Sequence, residues 1–438
     1  MLDNENTALY EQYVLGINGQ PVVSDGQPGG DDAGDIRMSN PDFSGNQNEF
    51  QIAINPMDPN YAIGTSNDGR TAGVGIYTTS DMGLTWTARD APSGTSGCCD
   101  PAVVYGSDGV AYVGILAAPA ITLRSDDNGA TWTRMTNVTM QDRNNIAVDP
   151  HDSDHVLLTY SELPGSNRIK GYQSFDGGRT WGASFFIGGP APVQGYEQSS
   201  QPQIANDGTI YVGYQQYLDS SSGCSGGVQN VLAVSTDSGA TFSQTVLDIL
   251  QGGACTTQQF GRGIFCINTG GSNFRSRSHP IIGVDPVDSQ TVYMIYSGGE
   301  LETSYTCAGG TGWHSDILFR KSIDGGQTFS DPIAINQDGT GSDQYYPWVD
   351  VDVDGTIWVG WNDRRDDPNN FKSLWYQAYS TDQGDTWTEY PVAQVQTQPS
   401  TFIGDYHGLA GRWGLILGMW FDSRDNSSGD PYTHPNLE

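Results

Sequence analysis

Eight residues, Ser174-Phe175-Asp176-Gly177-Gly178-Arg179-Thr180-Trp181, set a pattern that returns six times along the chain, with its aspartates at Asp81, Asp127, Asp176, Asp237, Asp324 and Asp382. Each aspartate is followed two residues on by glycine, four on by threonine, and then by Trp86, Trp132, Trp181, Phe242, Phe329 or Trp387. The spacing predicts a tight hairpin turn. The carboxylate accepts hydrogen bonds from turn N–H groups, glycine takes a conformation that a Cβ resists, and threonine opens the next strand. The aromatic residue is large enough to fill the wedge between neighbouring sheets, so it reads as core and not as a ligand contact.

Around each turn the same order of strands recurs. Residues 50–56, 61–65 and 75–78 precede the first turn, and inner and second strands return at 101–105 with 111–115, 145–148 with 156–160, and 202–205 with 210–214. They continue at 280–284 with 292–296 and 347–351 with 357–361, where Thr356-Ile357-Trp358-Val359-Gly360-Trp361 shows the alternation of a sheet strand. Repeats at this interval, one per antiparallel unit, predict an all-β chain of radial sheets around an axis. The 57 glycines suit its many turns, and evenly spaced repeats argue for one body over all 438 residues in place of two or three domains. A seventh inner-plus-second pair, 408–410 and 413–421, follows the last turn with almost no chain left. The outer strands of that unit are expected from the N-terminal segment, chiefly 8–23, which would close the ring and remove an exposed edge. The expectation is seven blades: a closing segment 1–45, six boxed blades over 46–401, and an incomplete seventh over 402–438. Six blades with 402–438 as an appendage is the alternative.

The motif Ser-x-Asp-x-Gly-x-Thr-Trp resembles the Asp-box, or bacterial neuraminidase repeat, of the sialidase superfamily. That resemblance implies a β-propeller and a sugar-cleaving or sugar-binding site, although such repeats also occur in non-enzymes. The box aspartates are read as structural.

A net charge of −32 repels nucleic acid and anionic membranes, so an anionic substrate needs a local arginine cluster. No apolar run approaches the length of a membrane span. Cysteines at 98, 99, 224, 255, 266 and 307 form an even set in loop-rich surroundings, which suits disulfides and an exported, secreted protein; their pairing is not readable. The opening Met1-Leu2-Asp3-Asn4-Glu5 is not a signal peptide, and the expectation is that the sequence begins after a cleavage site. No cofactor is required by this reading. Asp350-Val351-Asp352-Val353-Asp354-Gly355 could meet a structural calcium, but turn chemistry accounts for it better. The expected partner is an oligosaccharide or acidic polysaccharide, taken by a monomer.

In a propeller the box turns occupy one face, which leaves the chemistry to the other. There, the residues before the seven inner strands are Glu49, Asp100, Arg143, Gln201, His279, Tyr346 and His407, with Arg277 just upstream of the fifth. All are polar or ionisable, and they are expected to converge around the axis where propeller ligands bind. The alternative is that strand entrances are simply hydrated, but two of only six histidines fall in this ring, which favours a site. A second ring comes from the ends of the second strands: Asp68 and Arg70, Glu162, Gln215-Gln216, Glu300, Asp363 with Arg365, and Asp422 with Arg424. Its arginines are read either as a carboxylate clamp or as Asp–Arg pairs bracing turns.

Sialidases use three arginines on the substrate carboxylate, a Tyr paired with a Glu as nucleophile and an Asp as acid/base. The resemblance implies those roles for Arg143, Arg365 and Arg424, for Tyr346 with Glu49, and for Asp100. The Arg-Ile-Pro signature expected near the start is absent; Arg37-Met38-Ser39-Asn40-Pro41 is a poor substitute. A polysaccharide lyase is the second reading, with His279, His407 and Tyr346 as base and acid and Arg143 on the uronate. The third is a non-catalytic glycan-binding propeller presenting Trp313, Tyr217 and Tyr345.

Overall fold

The computed structural model describes residues 34–39, 45–69, 73–92, 99–117, 119–163, 165–190, 195–218, 228–250, 279–298, 315–399, 402–425 and 427–437. Among them every regular element is a strand, and the strands form seven antiparallel sheets arranged as the blades of a β-propeller. Inner strands are Gln47–Ile54, Cys99–Tyr105, Asp142–Asp149, Tyr196–Ile204, Ile281–Val284, Gln344–Val351 and Gly408–Arg412. Six blades each use four strands consecutive in the chain.

The boxes build their turns as their spacing predicts. In the first, Thr85 donates its N–H to Asp81 Oδ1 at 2.9 Å and its hydroxyl to Oδ2 at 2.6 Å, while the Thr79 hydroxyl donates to Oδ1 at 2.7 Å. Gly83 then donates its N–H to Thr79 Oγ1, at a φ of 88° that favours glycine. The other five boxes repeat this set with serine in place of Thr79, as at Asp237, whose carboxyl the Thr241 hydrogen bonds hold down at about 2. Each box carboxylate is thus engaged by its own turn. The six aromatic residues lie partly buried, one against each of six core clusters, so each wedge is closed by the residue that follows its turn. The largest cluster buries Trp361, Trp375 and Trp420 between blades six and seven; full burial of such a side chain contributes about 2–3 kcal/mol.

The seventh blade closes the ring differently from expectation. The C-terminus supplies a third strand in two pieces, Asp430–Thr433 and Pro435–Leu437, both paired with Leu415–Asp422. Only the fourth strand comes from the N-terminal side, and it is Ile36–Arg37, paired with Thr433 and Tyr432; segment 8–23 lies outside the described residues. Cys99 opens the inner strand of blade two and is disulfide-bonded, and the other five cysteines lie outside the described residues.

Candidate active site

Inner strands run toward the box face, so their first residues surround the opposite mouth of the axial channel. In five blades the strand enters through a β-bulge with two residues facing one: Glu49-Phe50, Asp100-Pro101, Arg143-Asn144, Ser199-Ser200 and Tyr346-Pro347. The first residue of each pair has a positive φ, between 38° at Arg143 and 67° at Ser199, although none is glycine. A side chain in this region costs about 1–2 kcal/mol, and bulges re-aim side chains at rims and sites. Counting back two residues from the first inner-strand residue that pairs regularly with the second strand, Ile281 in blade five and Gly408 in blade seven, puts His279 and Tyr406 at the same position, and His407 one residue beyond it. The blade-four member is therefore Ser199, not Gln201. Gln201 lies two residues deeper, lining the channel, where its Oε1 accepts from Asn145 Nδ2 at 2.5 Å.

Four of the expected residues are brought together. Asn67 of blade one donates from Nδ2 to Glu49 Oε2 at 2.6 Å, and its Oδ1 accepts the Asp100 N–H at 2.9 Å, tying the two acidic residues side by side. Arg143 reaches across the axis to His279 Nδ1. That nitrogen must carry a lone pair to accept from a guanidinium, so in the neutral ring the proton sits on Nε2. The Arg143 guanidinium also lies over the ring of Tyr406, 4.0 Å from its centroid. Burial raises the Tyr406 phenol well above its ordinary pKa, and the charges of Glu49 and Asp100 raise it further, against the pull of Arg143. The phenol is therefore neutral at rest, and it gives up its proton only to a neighbouring base. Sequence alignment selected His407 and passed over Tyr406 beside it; the only signal was an Asp405-Tyr406-His407 run in place of one polar residue. Asn67 was likewise overlooked beside Asp68.

The remaining expected residues take other places. His407 is fully buried; its Nδ1 accepts from Asn362 Nδ2 at 2.8 Å, and burial holds its pKa down at about 3. Its ring packs 5.3 Å from Phe50 and 5.4 Å from Tyr346, behind the mouth and not in it. Tyr346 is also buried, and its hydroxyl donates to the Gly404 carbonyl at 2.7 Å. Asp68 is buried within blade one, 3.5 Å from Gln47 Nε2. Arg365 is held by Asp363 at 2.7 Å and by Glu389, on the outermost strand of its blade, at 2.9 Å. Arg424 is held by Asp422 at 2.7 Å and Asp35 at 2.5 Å. These are braces between strands, and neither arginine joins Arg143. Glu162 pairs with Lys170 at 3.1 Å. Arg277, Arg70, Glu300 and Trp313 lie outside the described residues. The proposed aromatic platform is interior: Tyr217 stacks on Tyr196 at 4.5 Å, and Tyr345 is fully buried.

Below the mouth the channel holds a cavity of about 440 Å³ lined by all seven inner strands. No protein-family model matches the chain, and no curated protein matches it in sequence. Among solved structures it is similar to the alpha-L-arabinofuranosidase Arb93A from Fusarium graminearum in complex with an iminosugar inhibitor, at 17% identity over 77% of this chain and 92% of that one, with a TM-score of 0.46. It is also similar to YCF48 bound to D1 peptide, at 12% identity over 92% and 94% of the two chains and a TM-score of 0.48. A third is the Hadza microbial sialidase Hz136, at 14% identity over 92% of this chain and 68% of that one, with a TM-score of 0.45.

Proposed function

We propose that this propeller is an exported carbohydrate-active enzyme, a sialidase-like glycoside hydrolase that cleaves an acidic glycan at the axial mouth. The observation that supports it is the meeting of Glu49, Asp100, Arg143 and Tyr406 from four different blades. In this reading Tyr406 is the nucleophile and Glu49 takes its proton as the phenol oxygen bonds to the anomeric carbon. Asp100 protonates the leaving oxygen and then activates the water that releases the sugar. Two carboxylates also stabilise the oxocarbenium-like charge that develops on the ring. Arg143 holds the acidic group of the substrate, where a planar fork fits two oxygens.

A lyase reading asks His279 to abstract a proton, but the lone pair it would use accepts from Arg143. The hydrolase is therefore preferred. Incubation with sialosides and acidic algal or plant polysaccharides, following both new reducing ends and ultraviolet absorbance, tests the reading. Reducing ends without absorbance are expected, and Tyr406→Phe and Glu49→Gln should each lower kcat by about 10²–10⁴-fold while leaving the melting temperature within a few degrees. Absorbing product would replace hydrolysis with elimination. Full activity in both variants would remove the mouth from the chemistry.

A further inference from the structure

At the box end of the channel, farthest from the mouth, stands Arg412, the last residue of the seventh inner strand. It is the one basic residue among those lining the cavity. Among the described residues its Nε is shut from solvent with no hydrogen-bond partner, and no ion pair engages the guanidinium. Two carboxylates are near, but their oxygens are turned elsewhere. Asp350 accepts the N–H groups of Gly411 and Val351, both at 2.9 Å. Asp352 accepts those of Trp413 and Gly414, both at 3.0 Å, and of Val353 at 2.6 Å. They supply charge at a distance and no acceptor. The Trp413 ring lies 5.7 Å from the guanidinium carbon, a loose contact.

A guanidinium carries five N–H donors; that of Nε is enclosed without an acceptor, which is unfavourable, while the side chain as a whole is only partly buried. Burial pulls the pKa of Arg412 down, against the opposing influence of Asp352 and Asp350, which is the mark of a cation short of solvation. The residue is partly exposed and is among those lining the channel cavity. We propose that Arg412 is the base of an anion site inside the channel, which takes a small oxyanion able to accept two N–H bonds from one guanidinium. A tetrahedral sulfate or phosphate and the carboxylate of a small metabolite share that chemistry. The site is separate from the mouth and stands or falls independently of glycan cleavage.

The test is calorimetric titration of the full chain with sulfate, phosphate and acetate at fixed ionic strength, with chloride as the control. One-to-one saturable binding is expected. A preference for sulfate or phosphate identifies a tetrahedral ligand, and a preference for acetate identifies a carboxylate. Arg412→Gln should weaken the preferred anion at least tenfold, and Arg412→Lys, which keeps the charge and loses the fork, should weaken it measurably. Crystals soaked in selenate supply a readout free of any folding defect in the variants: an anomalous peak at the Arg412 guanidinium is expected in the unaltered protein. No saturable binding of any of the three anions, or affinity unchanged in Arg412→Gln, would overturn the proposal, as would a channel without selenate where sulfate or phosphate is the preferred anion.

Discussion

Glu197 and Gly188 meet where blade four packs on blade three, at a contact with room for nothing between them. A Cβ at Gly188 would lie 1.6 Å from Glu197 Oε2, so the glycine is there for close approach. The carboxyl is fully buried, accepting the Ile169 N–H at 2.8 Å and Gln216 Nε2 at 3.2 Å. Burial raises its pKa to about 7, against the hydrogen bonds that pull it down. The unfolded chain ionises at its ordinary pKa of 4.5, so between there and about 7 the folded state binds more protons. Stability should therefore fall as pH rises through that window, by about 3 kcal/mol for this group. Glu197→Gln should remove that slope, with urea unfolding at pH 5 and pH 7.5 giving closer stabilities than in the parent. An unchanged slope would place the pH dependence elsewhere.

At the scale of the element, the boxed turn and the bulged strand entrance differ in how much the sequence reveals. A box declares itself because every partner lies within a few residues, so glycine and threonine at fixed offsets from aspartate are enough. A bulge inserts an extra residue against a partner strand far along the chain, and nothing local marks it. Proline is tolerated as its second residue in Asp100-Pro101 and Tyr346-Pro347, but Pro202 stands deeper in its strand, and aligning on it moves blade four two residues out of register. The same blindness hid Tyr406 and left open whether Arg365 and Arg424 clamp a ligand or brace turns: the residue types were legible, while the direction each side chain takes depends on the pleat. Ser199 offers a clean test of bulge strain. Its φ is 67°, and its buried hydroxyl has no hydrogen-bond partner among the described residues. Ser199→Gly should stabilise the protein by about 1 kcal/mol, read as a higher denaturant midpoint at unchanged slope. A loss of stability would mean that the surrounding bulge tolerates the serine without strain.

For the whole molecule, closure of the ring is the step that pairs a strand from the N-terminal side, Ile36–Arg37, with the C-terminal strand Asp430–Thr433. That an incomplete seventh unit needed strands from elsewhere was readable from the repeat count; that the C-terminus itself folds back as the third strand was not, because 430–437 carries no box to announce it. The closing strand Ile36–Arg37 is only two residues long, so side chains must hold what few backbone pairs can. Arg37 Nη2 meets Asp430 Oδ1 at 2.8 Å, and the Ser39 hydroxyl donates to the same oxygen at 3.0 Å. Asp430 is fully buried, and burial raises its pKa while Arg37 pulls it down. Arg37→Ala leaves that carboxylate without its cation and should cost about 3 kcal/mol at pH 8. Its folded pKa then climbs further above the unfolded one, so the cost shrinks as acidification protonates it: smaller at pH 5 than at pH 8. Adding Asp430→Asn to Arg37→Ala should recover part of the loss at pH 8 and little at pH 5. If unfolding gives the same loss at both pH values, the seam is held by its strands and not by this pair.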